Sequence, residues 1–184
     1  HPQWVLHTLV NGVPKPANVV PTGNEGNKST FTRNKIRGHI DWQFLDRLRE
    51  RWAGKLILKG VLSADDAVRI RDAGADAVYV SNHGGRQLDA APAAIDVLPE
   101  IRQAVGADYP LIFDSGIRSA EGIVKALALG ADFVMLGRPF LYASGADGQR
   151  GVYRLVELLK NDLLLVLAQI GCIDVSQIDH NVLA

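Results

Sequence analysis

Several common signatures are missing from this 184-residue sequence, and each absence narrows the field. A single cysteine, Cys172, excludes an internal disulfide and a cysteine-rich zinc site, and it is compatible with a reducing compartment. Lysine and arginine total 20 and aspartate and glutamate total 20, so no net charge draws the chain to nucleic acid. No apolar run approaches the roughly 18 residues of a membrane span, and no signal-peptide pattern opens the chain, so the expected location is the cytoplasm. No G-x-G-x-x-G follows an expected strand, which removes the main support for a dinucleotide-binding sheet. The first residue is His1 rather than Met, and the chain reads as a piece of something longer.

What is present suits a globular unit with a real core: 47% of residues are hydrophobic and 22% charged. Residues 1–40 carry no period that can be followed. Gly12, Pro14, Pro16, Pro21, Gly23 and Gly26 interrupt them, so this part is expected to be a long loop region, with the loop proper from Val10 to Gly38. Lys28, Arg33, Lys35 and Arg37 give it a mild basic cluster. No apolar face accompanies these charges, so a solvated segment fits them better than a contact with an acidic membrane surface.

From Asp41 the chain becomes rhythmic. Asp41 caps an expected helix with Phe44, Leu45, Leu48 and Trp52 at helical spacing, ended by Gly54. The strand LILKG (Leu56–Gly60) follows. Ser63 then caps a helix whose inner face is Ala67, Val68, Ile70 and Ala73, ahead of the strand Ala77–Ser81. Ala93–Val105 reads as a helix with Ile95, Leu98, Ile101 and Val105 inward, and Leu111–Gly116 as a strand. Ser119–Leu129 is the next helix, Phe133–Arg138 the fourth strand, and Gly151–Ala168 a final apolar helix with Val152, Leu155, Leu158, Leu159 and Leu163 on one side. AGADAVYV (Ala73–Val80) and LGADFVML (Leu129–Leu136) repeat one helix–strand junction. Strict alternation predicts parallel strands with right-handed crossovers. Both a doubly wound sheet and a barrel satisfy that pattern.

The strand ends favour the barrel. Lys59, then Ser81 and His83, then Asp114 with Arg118, then Gly137 and Arg138 stand where successive strands finish, as in a (β/α)8 fold. In VYVSNHGGRQLD (Val78–Asp89), His83 is the expected base, because histidine as a type exchanges protons near neutrality. Arg86 is the expected carboxylate clamp, because a guanidinium forms two parallel hydrogen bonds with a carboxylate. An ordinary turn with a solvated His and Arg is the plain alternative. DSGIRS (Asp114–Ser119) and GRP (Gly137–Pro139) combine glycine amides, two arginines and a helix start, which fits an anion such as phosphate. An Arg118–Asp114 ion pair would be a structural alternative. Four βα units are half a barrel, residues 41–184 being the expected half.

SNHGGRQLD, DSGIRS and LGRPFLY, with LILKG ahead of them, resemble the C-terminal half of the FMN-dependent (S)-2-hydroxy-acid oxidases and dehydrogenases. Local similarity is greatest to the bacterial (S)-mandelate and L-lactate dehydrogenases. The resemblance implies an enzyme that oxidises a small 2-hydroxy acid to the 2-oxo acid with FMN. It implies Lys59 at the flavin N1/O2 edge and Ser81 at the flavin ring. His83 would be the catalytic base and Arg86 the substrate carboxylate ligand. Asp114, Ser115, Gly116, Ile117 and Arg118, with Gly137 and Arg138, would surround the ribityl phosphate. Ser115 departs from the glycine most relatives carry. The resemblance further implies a missing N-terminal half-barrel, a homo-oligomeric, tetrameric state when complete, and a peripheral option at the inner membrane. It leaves the acceptor open among quinone, cytochrome and oxygen. Two other readings explain less of the sequence. A phosphate-binding isomerase or aldolase would use Lys59 as a Schiff-base amine, and a catalytically silent half-barrel would need neither His83 nor Arg86.

Overall fold

A computed structural model describes residues 2–13 and 40–183, which divide into two units, His1–Leu45 and Asp46–Ala184. In the first unit, residues Pro2–Asn11 form helix α1, where the sequence suggests loop. Its Leu6, Leu9 and Val10 recur at three- to four-residue spacing, yet none is buried. The remainder of the expected loop from residue 14, with its basic cluster, lies outside the described residues. Helix α2 (Trp42–Arg51) starts where Asp41 Oδ1 accepts the Phe44 amide at 2.7 Å, the expected cap. Of its expected inner face Leu45 is buried and Leu48 half-buried, while Phe44 and Trp52 are exposed.

The second unit alternates as expected. Strand β1 (Ile57–Val61) leads to α3 (Ala64–Asp72), β2 (Ala77–Val80), α4 (Ala94–Val105), β3 (Leu111–Phe113), α5 (Ala120–Ala128), β4 (Phe133–Val134) and α6 (Arg138–Gln169). All pairings are parallel and the strand order is β1-β2-β3-β4. A doubly wound sheet must reverse its strand order to cover both faces with helices. Sequential order with crossovers of one hand puts the helices on one face, which is the arc of a (β/α)8 barrel. Burial agrees. Val78, Val80, Leu111 and Phe113, on the helix-facing side, are fully buried. The opposite row runs Lys59, Tyr79, Ile112 and Phe133 in register, and Phe133 there is 59% exposed.

Helix α4 buries Ala94, Leu98, Ile101 and Val105, and α5 buries Ala120, Val124, Ala126 and Ala128. Ala94 replaces the expected Ile95, because it precedes Leu98 by four residues and shares its face. Each fully buried aliphatic side chain contributes on the order of 1.5–3 kcal/mol. Ser63 Oγ accepts from Asp66 N, so the predicted cap forms, and Ser119, expected as the first helical residue, caps its helix by accepting from Gly122 N. Asp65 and Asp66 at the start of α3 and Arg69 and Arg71 at its end complement the helix dipole.

The repeated junction is repeated in its bonding. Gly74 and Gly130 take positive φ (83° and 105°) after their helices, and Ala75 and Ala131 are buried. The next residue, Asp76 or Asp132, then fastens the neighbouring strand. Asp76 N donates to Leu56 O (2.8 Å) and its Oδ2 accepts from Leu56 N (2.9 Å). Asp132 does the same with Leu111, at 2.9 and 2.7 Å. An arginine from the preceding helix layer completes each site: Arg49 pairs with Asp76 at 3.2 Å and Arg102 with Asp132 at 2.6 Å. These aspartates lie at the strand starts.

The C-terminal boundaries differ from expectation. Strand β4 pairs only over Phe133–Val134, with one further bond from Met135 N to Phe113 O at 2.8 Å. Helix α6 begins at Arg138 and is interrupted at Asp147 and Gly148, where φ turns to −150° and 52°. Its second part carries the apolar stripe, with Val152, Leu155, Leu159 and Leu163 half-buried and Leu167 buried, while Leu158 is exposed.

Candidate active site

Three of the strand ends converge on one cleft of about 140 Å³, lined among others by His83, Arg86, Ser115, Arg118 and Arg138. Its construction starts in β1. Gly60 has φ +93°, and the β1–β2 register slips there, Lys59 facing Tyr79 and Val61 facing Val80. This is a bulge that only glycine forms without strain. A Cβ on Gly60 would stand 2.6 Å from His83 Cε1, so the bare glycine makes room for the imidazole.

After β2 the chain closes a short turn, His83–Gly85, with His83 at φ 57°. Local hydrogen bonds hold that unfavourable conformation. His83 N donates to Ser81 Oγ (3.0 Å), Gly85 N to Asn82 Oδ1 (3.2 Å), and Asn82 Nδ2 to Pro92 O (3.2 Å). Arg138 reaches over from the start of α6 to donate to Gly84 O at 3.4 Å. The turn is thereby tied to the end of β2 and to the start of α6, and the imidazole lies against Gly60 of β1.

Behind the turn lies a polar cluster. Lys59 forms an ion pair with Asp114 Oδ2 and its Nζ donates to Ser81 Oγ at 3.1 Å. Tyr79 OH donates to Asp114 Oδ2 at 3.0 Å, and Ser115 Oγ to Asp114 Oδ1 at 2.9 Å. Burial works to raise the Asp114 pKa, but hydrogen bonds from Lys59, Ser81, Ser115 and Tyr79 hold it below the usual carboxylate range. Burial, the hydrogen bond to Asp114 and its negative charge push the Tyr79 phenol well above its ordinary value, so Tyr79 remains a neutral donor.

The anion side is more open. Ser115 and Gly116 both take positive φ (91° and 87°), turning the chain sharply after β3. The Ser115 hydroxyl accepts from Asn82 N (3.2 Å) and Gly84 N (3.3 Å), tying this turn to the His83 turn. A Cβ on Gly116 or Gly137 would meet no atom within 4 Å. Arg118 and Arg138 both line the cleft, and Ile117 closes its floor, buried at 8% exposure. Two cations beside unobstructed glycine backbone suit the chemistry of a phosphate.

The structure gathers His83, Arg86, Asp114, Ser115, Gly116, Ile117, Arg118, Gly137 and Arg138 around the cleft. Lys59 sits beyond Asp114, and Ser81 is fully buried with its hydroxyl engaged by Lys59 and the His83 amide. Asp114 pairs with Lys59, and Arg118 donates to Ile117 O at 3.0 Å. Sequence reasoning gave no role to Gly60, Tyr79 or Asn82. For Gly60 a signal existed, because a glycine inside a strand marks a bulge or a close approach.

The whole chain, residues 1–184, matches the family described as FMN-dependent dehydrogenase. It is 42% identical over 185 residues to (S)-mandelate dehydrogenase of Pseudomonas putida, covering 100% of this chain and 47% of that protein. It is 46% identical over 145 residues to an L-lactate dehydrogenase of a Caulobacter species, covering 79% of this chain and 38% of that protein. A crystal structure of the monotopic membrane protein (S)-mandelate dehydrogenase shares the fold with a TM-score of 0.88 and 42% identity, over 98% of this chain and 48% of that one. The chain thus spans about half the length of the curated relatives it matches.

Proposed function

Since the chain belongs to the FMN-dependent dehydrogenase family, we propose that its cleft is the phosphate-binding and proton-accepting side of a flavin site that oxidises an (S)-2-hydroxy acid to the 2-oxo acid. The observation that carries this reading is the seating of the His83 ring over Gly60 in the same cleft as Arg86, Arg118 and Arg138. It unites a base, a carboxylate fork and a phosphate site.

FMN, when bound, would supply the acceptor for the two electrons that leave the substrate. Arg118, Arg138 and the backbone of Ser115, Gly116 and Gly137 would hold its phosphate. Arg86 holds the substrate carboxylate with its planar fork. His83 accepts one of the two protons the hydroxy acid loses, from a ring fixed by Gly60 below and by the Ser81 and Arg138 contacts around its turn. Lys59 would supply positive charge to the flavin ring. Asp114, a carboxylate, repels a phosphate, and its part is to hold Lys59 and Ser115 in place. The Schiff-base alternative for Lys59 has less support, because its nitrogen is already engaged by Asp114 and Ser81.

The rest of the barrel, carried by the N-terminal half in this reading, covers the exposed inner face of the sheet, and the complete enzyme is a homo-oligomer. Peripheral attachment to the inner membrane also belongs to the reading, given the likeness to a monotopic membrane protein. None of the described helices is long and apolar enough to cross a membrane. The test is the visible spectrum of the natural protein that contains this chain, purified without added cofactor. Flavin absorbance, with released flavin identified as FMN, is expected. Colourless protein that takes up no FMN would overturn the proposal.

A further inference from the structure

Tyr79 is the one aromatic on the inner row of β2, flanked in register by Lys59 on β1 and Ile112 on β3. Packing alone asks for nothing more than an aliphatic side chain there, as Ile57 and Ile112 show on the same face. The phenol instead makes two polar contacts. Its hydroxyl donates to Asp114 Oδ2 at 3.0 Å, the oxygen that also pairs with Lys59, and the Lys59 Nζ lies 3.5 Å from the centroid of its ring. The ring face thus attracts the ammonium while the hydroxyl draws charge from the carboxylate that competes for it.

We propose that Tyr79 is a positioning residue for Lys59: by sharing Asp114 and by holding the ammonium against its ring, it sets how much of the Lys59 charge is available to the bound flavin. The inference rests on the FMN reading above. In this inference Tyr79 acts on the flavin through Lys59. A phenylalanine in its place keeps the ring under the ammonium and removes the hydroxyl. Asp114 then holds Lys59 more strongly, less positive charge faces the flavin, and an electron-rich flavin is less well stabilised.

The test uses the natural holoenzyme with Tyr79→Phe, Lys59→Met and the double variant, and reads sulfite affinity together with the flavin midpoint potential. Tyr79→Phe is expected to retain FMN, weaken sulfite binding about three- to tenfold and lower the potential, on the scale of part of one hydrogen bond to a charged group. In the Lys59→Met background the same substitution is expected to change sulfite affinity by less than about twofold, since coupled residues lose their effect when the partner is removed. Unaltered sulfite affinity in Tyr79→Phe overturns the inference, as does an equal loss in both backgrounds or a Tyr79→Phe protein that no longer holds FMN. A wild-type protein that never shows flavin absorbance overturns the functional reading and this inference with it, and is recognised before sulfite is added.

Discussion

His83 rests on Gly60, two residues from different strand ends, with so little space between them that a Cβ on Gly60 would lie 2.6 Å from the imidazole Cε1. Gly60→Ala meets two penalties at once. The backbone has φ +93°, which is unfavourable for alanine by roughly 1–2 kcal/mol, and the new methyl displaces the ring. In the natural enzyme, kcat is expected to fall about 10- to 100-fold, the scale of a misplaced catalytic group, while flavin content stays unchanged. Steady-state kinetics with a flavin assay checks it; a normal kcat would show that the ring does not depend on this seat.

Ser115 gives a different kind of prediction. Its φ of 91° favours glycine, but its hydroxyl joins Asn82 N, Gly84 N and Asp114. Ser115→Gly trades those bonds for relief of backbone strain, and stability is expected to change little. Ser115→Ala keeps the strain and loses the bonds, so it is expected to be less stable by about 1–3 kcal/mol. Chemical denaturation should rank serine and glycine together above alanine; alanine equal to serine would contradict the hydroxyl's role, and alanine equal to glycine would contradict the part played by backbone strain.

Asp76 ties stability to pH. A hydrogen bond from Lys55, then the Leu56 amide and Arg49, lower its pKa from 3.8 to about 2. A carboxylate depressed in the folded state contributes stability that is complete above its unfolded value and is lost as pH falls through its folded value. The wild-type protein is therefore expected to lose this contribution between about pH 4 and pH 2. Asp76→Asn should be less stable at neutral pH, and the gap between the two proteins should close across that window. A gap independent of pH would show that the ionised form is not what fastens β1 to β2.

Much of this arrangement was legible in the sequence because it is local. Helix caps at Asp41 and Ser63, the Gly-Ala-Asp junctions, and the order of strands and helices all follow from short-range patterns. The motif residues were legible as types, since His83, Arg86, Arg118 and Arg138 follow apolar runs. Relations across strands were not. Tyr79 reads as an ordinary strand residue until the register sets it beside Lys59, and Gly60 reads as a strand terminator until His83 folds over it. The start of α6 was obscured by Gly145, Gly148 and Gly151, which depress helix propensity over a stretch that is nonetheless helical apart from the break at Asp147 and Gly148. Helix α1 was missed because its amphipathic spacing is short and sits ahead of a Gly- and Pro-rich segment.

The central claim is that His83 takes the substrate proton while Arg118, Arg138 and the neighbouring glycine backbone hold the flavin, and single-turnover reduction separates the two. Natural enzyme and His83→Gln are mixed anaerobically with an (S)-2-hydroxy acid and the loss of flavin absorbance is followed. The account predicts FMN bound equally in both proteins and bleaching slowed about 10²- to 10⁴-fold in the variant, the usual scale for loss of a general base. Bleaching at the wild-type rate in His83→Gln would contradict it.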